Sequence, residues 1–214
     1  VHHQSEEYNL TVALRQSWFE GVFGWVFYLP LAFIGVDPWV FATSIGLNLI
    51  YQFFLHTRFV GKLGVLEYLL NTPSAHRVHH GRDDIYIDRN YGGILILWDR
   101  LFGTYVAESK LPDFGTVRPF VHWSALKSNI EPIRALCAQL GELPRGWSRF
   151  QALLKGPGWR PGDQSPLDAV HRAHATSMEV PSPVPMTRAG LWIIGTFVIV
   201  VPLTVVATVP MFPL

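Results

Sequence analysis

The sequence predicts an all-α integral membrane protein with a histidine-rich cap. Three observations lead there. Of 214 residues, 49% are hydrophobic and only 15% charged, against ~25% charged in ordinary soluble domains, and mean hydropathy is positive at +0.22. Two long apolar runs lie near the start of the chain and a third at its end. Between them charge returns and histidines cluster, with His76, His79 and His80 inside the fragment "HRVHH".

Taken in order, the chain opens "VHHQSEEYNL", with His2 and His3 adjacent. Its first residue is Val rather than Met, so the natural N-terminus is expected upstream. Residues 18–36 are apolar apart from Glu20, and residues 39–55 carry no charge. Each run approaches the ~20 residues that cross a bilayer core. The tight Asp37-Pro38 connection predicts an antiparallel transmembrane hairpin over about 18–55. A pair of buried helices in a soluble protein is the alternative, and the aromatic density argues against it.

Residues 56–110 form the cap, closed by "YGGILILWDRLFGTY" at 91–105. Residues 111–188 are mixed and rich in Pro and Gly; they read as a cytosolic or interfacial extension. An amphipathic helix is predicted over 123–140, and a turn at "KGPGWRPGD", 155–163. Trp147, Phe150, Leu153 and Leu154, beside Arg145, Arg149 and Lys155, suit a helix at headgroup level; an ordinary surface helix is the alternative. "EVPSPVPMTR", 179–188, reads as an extended linker. Residues 189–214 carry no charged side chain and predict a C-terminal transmembrane helix, kinked at Pro202. Three parts follow: 1–110, 111–188 and 189–214.

Composition excludes several classes. Net charge is +1 and no basic stripe with interleaved aromatics appears, which argues against nucleic acid. The single cysteine, Cys137, can build neither an internal disulfide nor a thiolate metal site. Any metal would rest on His, Asp or Glu.

On a helix, positions i, i+3 and i+4 share a face, so His76, His79 and His80 can point one way. Crowded imidazoles repel when protonated; they make sense neutral, with lone pairs aimed at a cation. His56 ends the second apolar run, where a membrane helix emerges. With His2 and His3, these six histidines flank apolar segments that could bring them together on one membrane face. Six nitrogens exceed the four ligands of a structural zinc site, so two ions are the economical reading. Imidazole alone does not choose among Zn, Cu, Fe and Ni. His122, His171 and His174 stand apart and read as ordinary polar residues. Ligating imidazoles usually donate their other N–H to an acceptor. Glu6, Glu7, Asp83, Asp84 and Asp88 lie within sequence reach, with Asp88 and Asn90 favoured as supporting groups. Arg77 and Arg82 are candidates to steer anionic lipid headgroups or a reductase, with simple solvation as the alternative.

These residues carry a resemblance. "HRVHH", preceded by "LNTPSA" and followed by "IDRNYGGILILWDRLFGT", resembles the last histidine box of the fatty acid hydroxylase (sterol desaturase) superfamily of membrane di-iron oxygenases. "VHHQSEEYNLTVALRQS" resembles the region starting within the preceding box, closest to the alkylglycerol monooxygenase branch. The similarity covers roughly residues 1–110. It implies that His2 and His3 end the middle box, that His56 is the isolated metal-centre histidine, and that His76, His79 and His80 form the final, catalytic box. It also implies that the first box lies upstream, so this chain is expected to be a C-terminal portion, inactive alone. The implied cofactors are two iron ions, with electrons from tetrahydrobiopterin or a cytochrome b5-type or other reductase partner. Absence of a dinucleotide fingerprint agrees with an external donor.

The implied activity is O₂-dependent hydroxylation of a lipid C–H bond in an ether lipid, sterol or fatty acyl chain. A desaturase with the same irons, a zinc metallohydrolase and a catalytically inactive lipid-binding membrane protein are the alternatives. Arg58, Lys62, Arg77 and Arg82 near the cap predict that it faces the cytoplasm.

Overall fold

The computed structural model describes residues 1–118, 120 and 124–176. The predicted linker and C-terminal transmembrane helix lie outside these residues. All regular elements among them are helical; the β pairing consists of two isolated bridges, Leu70 with Leu95 and Gly81 with Phe114.

The first predicted span is not one helix. Residues 18–33 form α1 (Trp18–Phe23), a 3₁₀ segment (Gly24–Tyr28) and α2 (Leu29–Phe33). Pro30 removes one backbone donor, and its ring cannot sit against the carbonyl four residues back; Gly21 and Gly24 weaken the same stretch. The second span is continuous. Helix α3 covers Pro38–Leu55, and is the one described helix long and apolar enough to cross a membrane. Asp37 caps it by accepting from the Trp39 and Val40 amides at 2.8 and 3.2 Å, while Pro38 supplies a preset φ at the first turn. Its 18 residues reach about 27 Å. Trp39, Val40, Leu47, Leu49, Ile50 and Phe54 are all exposed along it, and Leu55 alone is buried. An exposed apolar surface of this length suits lipid rather than water. Tyr28 meets Phe41 edge to face at 5.0 Å, so the two limbs touch near their connection.

After α3 the chain builds the cap around a short helix, α4 (Pro73–His79). Thr72 starts it: its hydroxyl accepts from the Ala75 amide at 3.3 Å, and Pro73 follows at the first turn. Six of its seven residues are buried. Polar side chains hold the loops around it. The side chain of Asn71, fully buried, donates to the carbonyls of Gly92 and Gly93, while the main-chain carbonyl of Asn71 accepts from the Tyr51 hydroxyl of α3 at 2.6 Å. Asn90 donates to the carbonyls of Ala75 and Val106 and accepts from the Val106 amide. Helix α5 (Leu97–Phe102) ends at Gly103 with φ of 74°, a conformation that favours glycine. Its Asp99, 2% exposed, accepts from the Tyr91 and Gly92 amides, both at 2.7 Å, and from the Thr104 hydroxyl at 2.6 Å.

Beyond the cap lie α6 (Ala125–Glu142), α7 (Trp147–Lys155) and α8 (Pro166–Thr176). The first two match the amphipathic segments that the sequence predicts, with α6 shifted two residues toward the C-terminus. Gly156, Gly158 and Gly162 in the following turn adopt φ of 94°, 81° and 101°.

Replacing Asp99 by Ala strands three donors in a buried site. Asp99→Ala is expected to lower unfolding stability by at least about 3 kcal/mol, at roughly 1–3 kcal/mol for each of the three unpaired donors, measured by thermal or denaturant unfolding in detergent.

Candidate metal centre

Three separated parts of the chain meet beside the C-terminal end of α3. A 3₁₀ turn (His2–Gln4) supplies His2 and His3, the C-cap of α3 supplies His56, and α4 with its C-cap supplies His76, His79 and His80. The nitrogens of His2, His56, His76 and His80 lie within 4.8 Å of one another, and those of His3, His79 and His80 form a second such group. His80 is common to both.

The hydrogen bonding identifies the lone pairs. Nδ1 of His56 lies 2.8 Å from the Gln52 carbonyl. A carbonyl only accepts, so Nδ1 carries the proton and Nε2 of the neutral ring carries a lone pair. Three imidazoles crowd that one atom: Nε2 of His2 at 3.0 Å, of His80 at 3.1 Å and of His76 at 3.1 Å. A single lone pair cannot serve three rings. Nδ1 of His79 points at the Arg89 carbonyl at 3.3 Å, which likewise leaves its Nε2 free. His76 is buried, and its Nδ1 has no hydrogen-bond partner.

A cation would resolve this crowding. Nitrogens held about 2.1 Å from a small divalent ion stand about 3.0–3.4 Å apart at octahedral or tetrahedral angles, close to the spacing observed. The donor set is all imidazole, which suits first-row transition ions rather than Mg²⁺ or Ca²⁺. The residues therefore fit a metal centre.

Burial keeps these rings neutral. Desolvation, followed by repulsion from the neighbouring imidazoles, holds His2 down to about 4 and His3 to about 3. Burial likewise pushes His76, His79 and His80 below the ordinary histidine value. Tyr8 closes one side. Its ring stacks on His56 at 5.6 Å and on Phe114 at 4.6 Å, and meets His80 edge to face at 5.2 Å. Its hydroxyl donates to the Leu55 carbonyl, and burial pushes the phenol up.

The charged residues near the histidines pair with one another instead. Arg77 does not face lipid or a partner. It is buried, forms a two-pronged bond to Glu108 with both contacts at 2.7 Å, and donates to the carbonyls of Thr57 and Val60. Glu6 meets Arg82, Glu7 meets Arg58, Asp83 meets Lys110, and Asp84 meets His171. Asp88 is exposed, with φ of 56°; burial, and then the nearby Asp88 charge, pushes up the Tyr91 phenol, whose ring lies edge-on to His79. Asn90 reaches the box helix through the Ala75 carbonyl rather than through an imidazole. The acceptors orienting His56 and His79 are backbone carbonyls, which no residue type announces. Tyr8, Glu108 and Asp99 also went unmarked in the sequence, although Tyr8 sits in the "YNL" element and Asp99 in "LWDR". His122 and the side chain of His174 lie outside the described residues.

Two outcomes follow. The histidines are neutral when folded and titrate near 6.5 when unfolded, so the unfolded chain binds more protons at acid pH. Their contribution to stability is full above pH 6.5 and falls as pH drops toward about 4; the melting temperature of metal-free protein is expected to fall continuously over that window. Glu108→Ala leaves Arg77 buried without its counter-ion and is expected to cost about 3–5 kcal/mol, read by thermal unfolding, with Glu108→Gln intermediate.

Comparison with known proteins places the chain among relatives. The fatty acid hydroxylase family model matches residues 1–104. Alkylglycerol monooxygenase of Xenopus tropicalis is 46% identical over 162 residues, covering 76% of this chain and 36% of the relative. The Homo sapiens protein of that name is 43% identical over 162 residues, with the same coverages. That of Danio rerio is 44% identical over 181 residues, 85% of this chain and 40% of its own length. The chain thus spans little more than a third of these curated relatives. No solved structure matches it. On the family match and these identities, the chain belongs to the fatty acid hydroxylase family, in its alkylglycerol monooxygenase-like branch.

Proposed function

We propose that the protein containing this chain is a membrane-bound di-iron oxygenase that hydroxylates a lipid C–H bond with O₂. The single observation that carries the reading is the convergence of Nε2 of His2, His76 and His80 on Nε2 of His56, all at 3.0–3.1 Å. The names of the alkylglycerol monooxygenase relatives favour an ether lipid as substrate. His2, His56, His76 and His80 would hold one ion, since a neutral imidazole offers one lone pair and that of His80 faces His56. His3 and His79 would hold the second, with further ligands from beyond these six.

When bound, the irons supply O₂ activation, with two electrons from tetrahydrobiopterin or a cytochrome b5-type system. The chain's own residues do the rest. The carbonyls of Gln52 and Arg89 fix the tautomers of His56 and His79. Tyr8 and Phe114, both buried, exclude water from one side. The apolar surface of α3 ends at His56, so a lipid chain lying along it reaches the histidines without leaving a hydrophobic environment. The cap lies on the cytoplasmic side in this reading.

The test uses the full-length protein in membranes. Metal analysis should find iron, close to two per chain. Incubation with an alkylglycerol, O₂ and tetrahydropterin should release an aldehyde, because hydroxylation beside the ether oxygen gives an unstable hemiacetal. His79→Ala should reduce turnover at least ~100-fold while the protein still folds. Zinc in place of iron, or a desaturated product, overturns the reading.

A further inference from the structure

The helices after the cap carry an apolar surface that the metal centre does not use. In α6, Leu126, Ile130, Ile133 and Cys137 follow the spacing of one helical stripe, and all are exposed. The next face round the helix carries Lys127, Glu131 and Arg134, also exposed, while Ser128 and Asn129, on the remaining side, are buried. In α7, Trp147, Phe150, Leu153 and Leu154 are 49–71% exposed, while Ala152 on the other side is buried. Trp147 and Phe150 lie ring to ring at 5.2 Å.

The two helices form one body. Arg149 of α7 donates to the Leu143 carbonyl at the end of α6. Gln139 of α6 donates to the Trp159 carbonyl and accepts from the Gly158 amide beyond α7. Arg160 meets Glu142 at 2.9 Å.

What should cover this face follows from its attachment. Asn129 of α6 accepts from the Trp18 amide at 2.8 Å, and the Ser128 carbonyl accepts from Gln4 at 3.1 Å. Trp18 is the first residue of α1, where the exposed apolar segment 18–34 begins. The first turn of α6 is therefore tied to the start of that exposed apolar segment. The exposed flanks add Arg145 and Lys155 at the two ends of α7, cations that match phosphate headgroups.

We propose that α6 and α7 form an in-plane membrane dock, with their apolar stripes in the headgroup and upper acyl region of the bilayer that α3 crosses. The surface lies outside the residues matched by the family model, and the proposal is independent of the metal assignment.

Cys137, the single cysteine of the chain and a member of the stripe, provides the probe. The full-length protein, with any cysteine outside these 214 residues replaced by Ser, is reconstituted into vesicles of phosphatidylcholine with phosphatidylglycerol, and Cys137 is labelled with a nitroxide. A second preparation, Glu131→Cys in a Cys137→Ser background, places the label on the charged face of the same helix. Accessibility to oxygen, which concentrates in lipid, is compared with accessibility to a water-soluble nickel chelate. The dock predicts that oxygen prevails at position 137 and nickel at 131. Nickel prevailing at both positions overturns it, because the stripe is then in water. A label at 137 shielded from both reagents also overturns it, because a second copy or another protein segment then covers the stripe.

Discussion

The constraint on which the rest of this structure depends is that several neutral imidazoles share one small volume. Nitrogen lone pairs at 3.0–3.1 Å repel unless a proton or a cation lies between them, and burial makes protons unfavourable here. Everything around the cluster keeps it in that state. Tyr8 and Phe114 hold water away, and the carbonyls of Gln52 and Arg89 fix which nitrogen faces inward. Crowding neutral imidazoles together opposes assembly of the cluster, so the surrounding scaffold has to hold them in place.

That scaffold is polar to an unusual degree. Asn71, Thr72, Ser74, Asn90 and Asp99 are all nearly or wholly buried in the cap. The Asn71 amide nitrogen and the polar groups of Asn90 and Asp99 bond largely to backbone groups of loops that lack regular pairing. A cap built from short helices and turns has many free amides and carbonyls, and buried backbone groups must be paired. Side chains that bond two or three of them at once do for these loops what a sheet ladder does elsewhere. Arg77 extends the same logic, tying the box helix to residues 57, 60 and 108 through four bonds. It sits inside "HRVHH", yet its role is to hold the histidines' neighbourhood together.

The sequence was legible where periodicity and residue chemistry speak locally. The uncharged run 39–55, capped by Asp37 and Pro38, became α3, and the histidine spacing placed three rings on one side of α4. The amphipathic pattern anticipated α6 and α7. It was misleading for 18–36, where hydropathy registers apolar residues but not the backbone cost of Pro30 in mid-run. It was silent on partners separated by long stretches of chain. Nothing near Arg77 points to Glu108, and nothing near Glu6 or Asp84 indicates that Arg82 and His171, rather than the clustered imidazoles, take their charge. Pairings of that kind depend on how loops close, which local pattern does not encode.

The Gly92-Gly93 pair has a mechanical consequence. A side chain at Gly93 would press against Asn48 and Gln52 of α3 at 3.0 Å, and one at Gly92 would collide with the Leu95 carbonyl. The cap loop thus lies flush against the last turns of the same helix whose Gln52 carbonyl orients His56. A helix in a bilayer tilts to match the thickness of its host. With so little space between loop and helix, any change in the helix's tilt would carry the cap loop and the His56 ring along together.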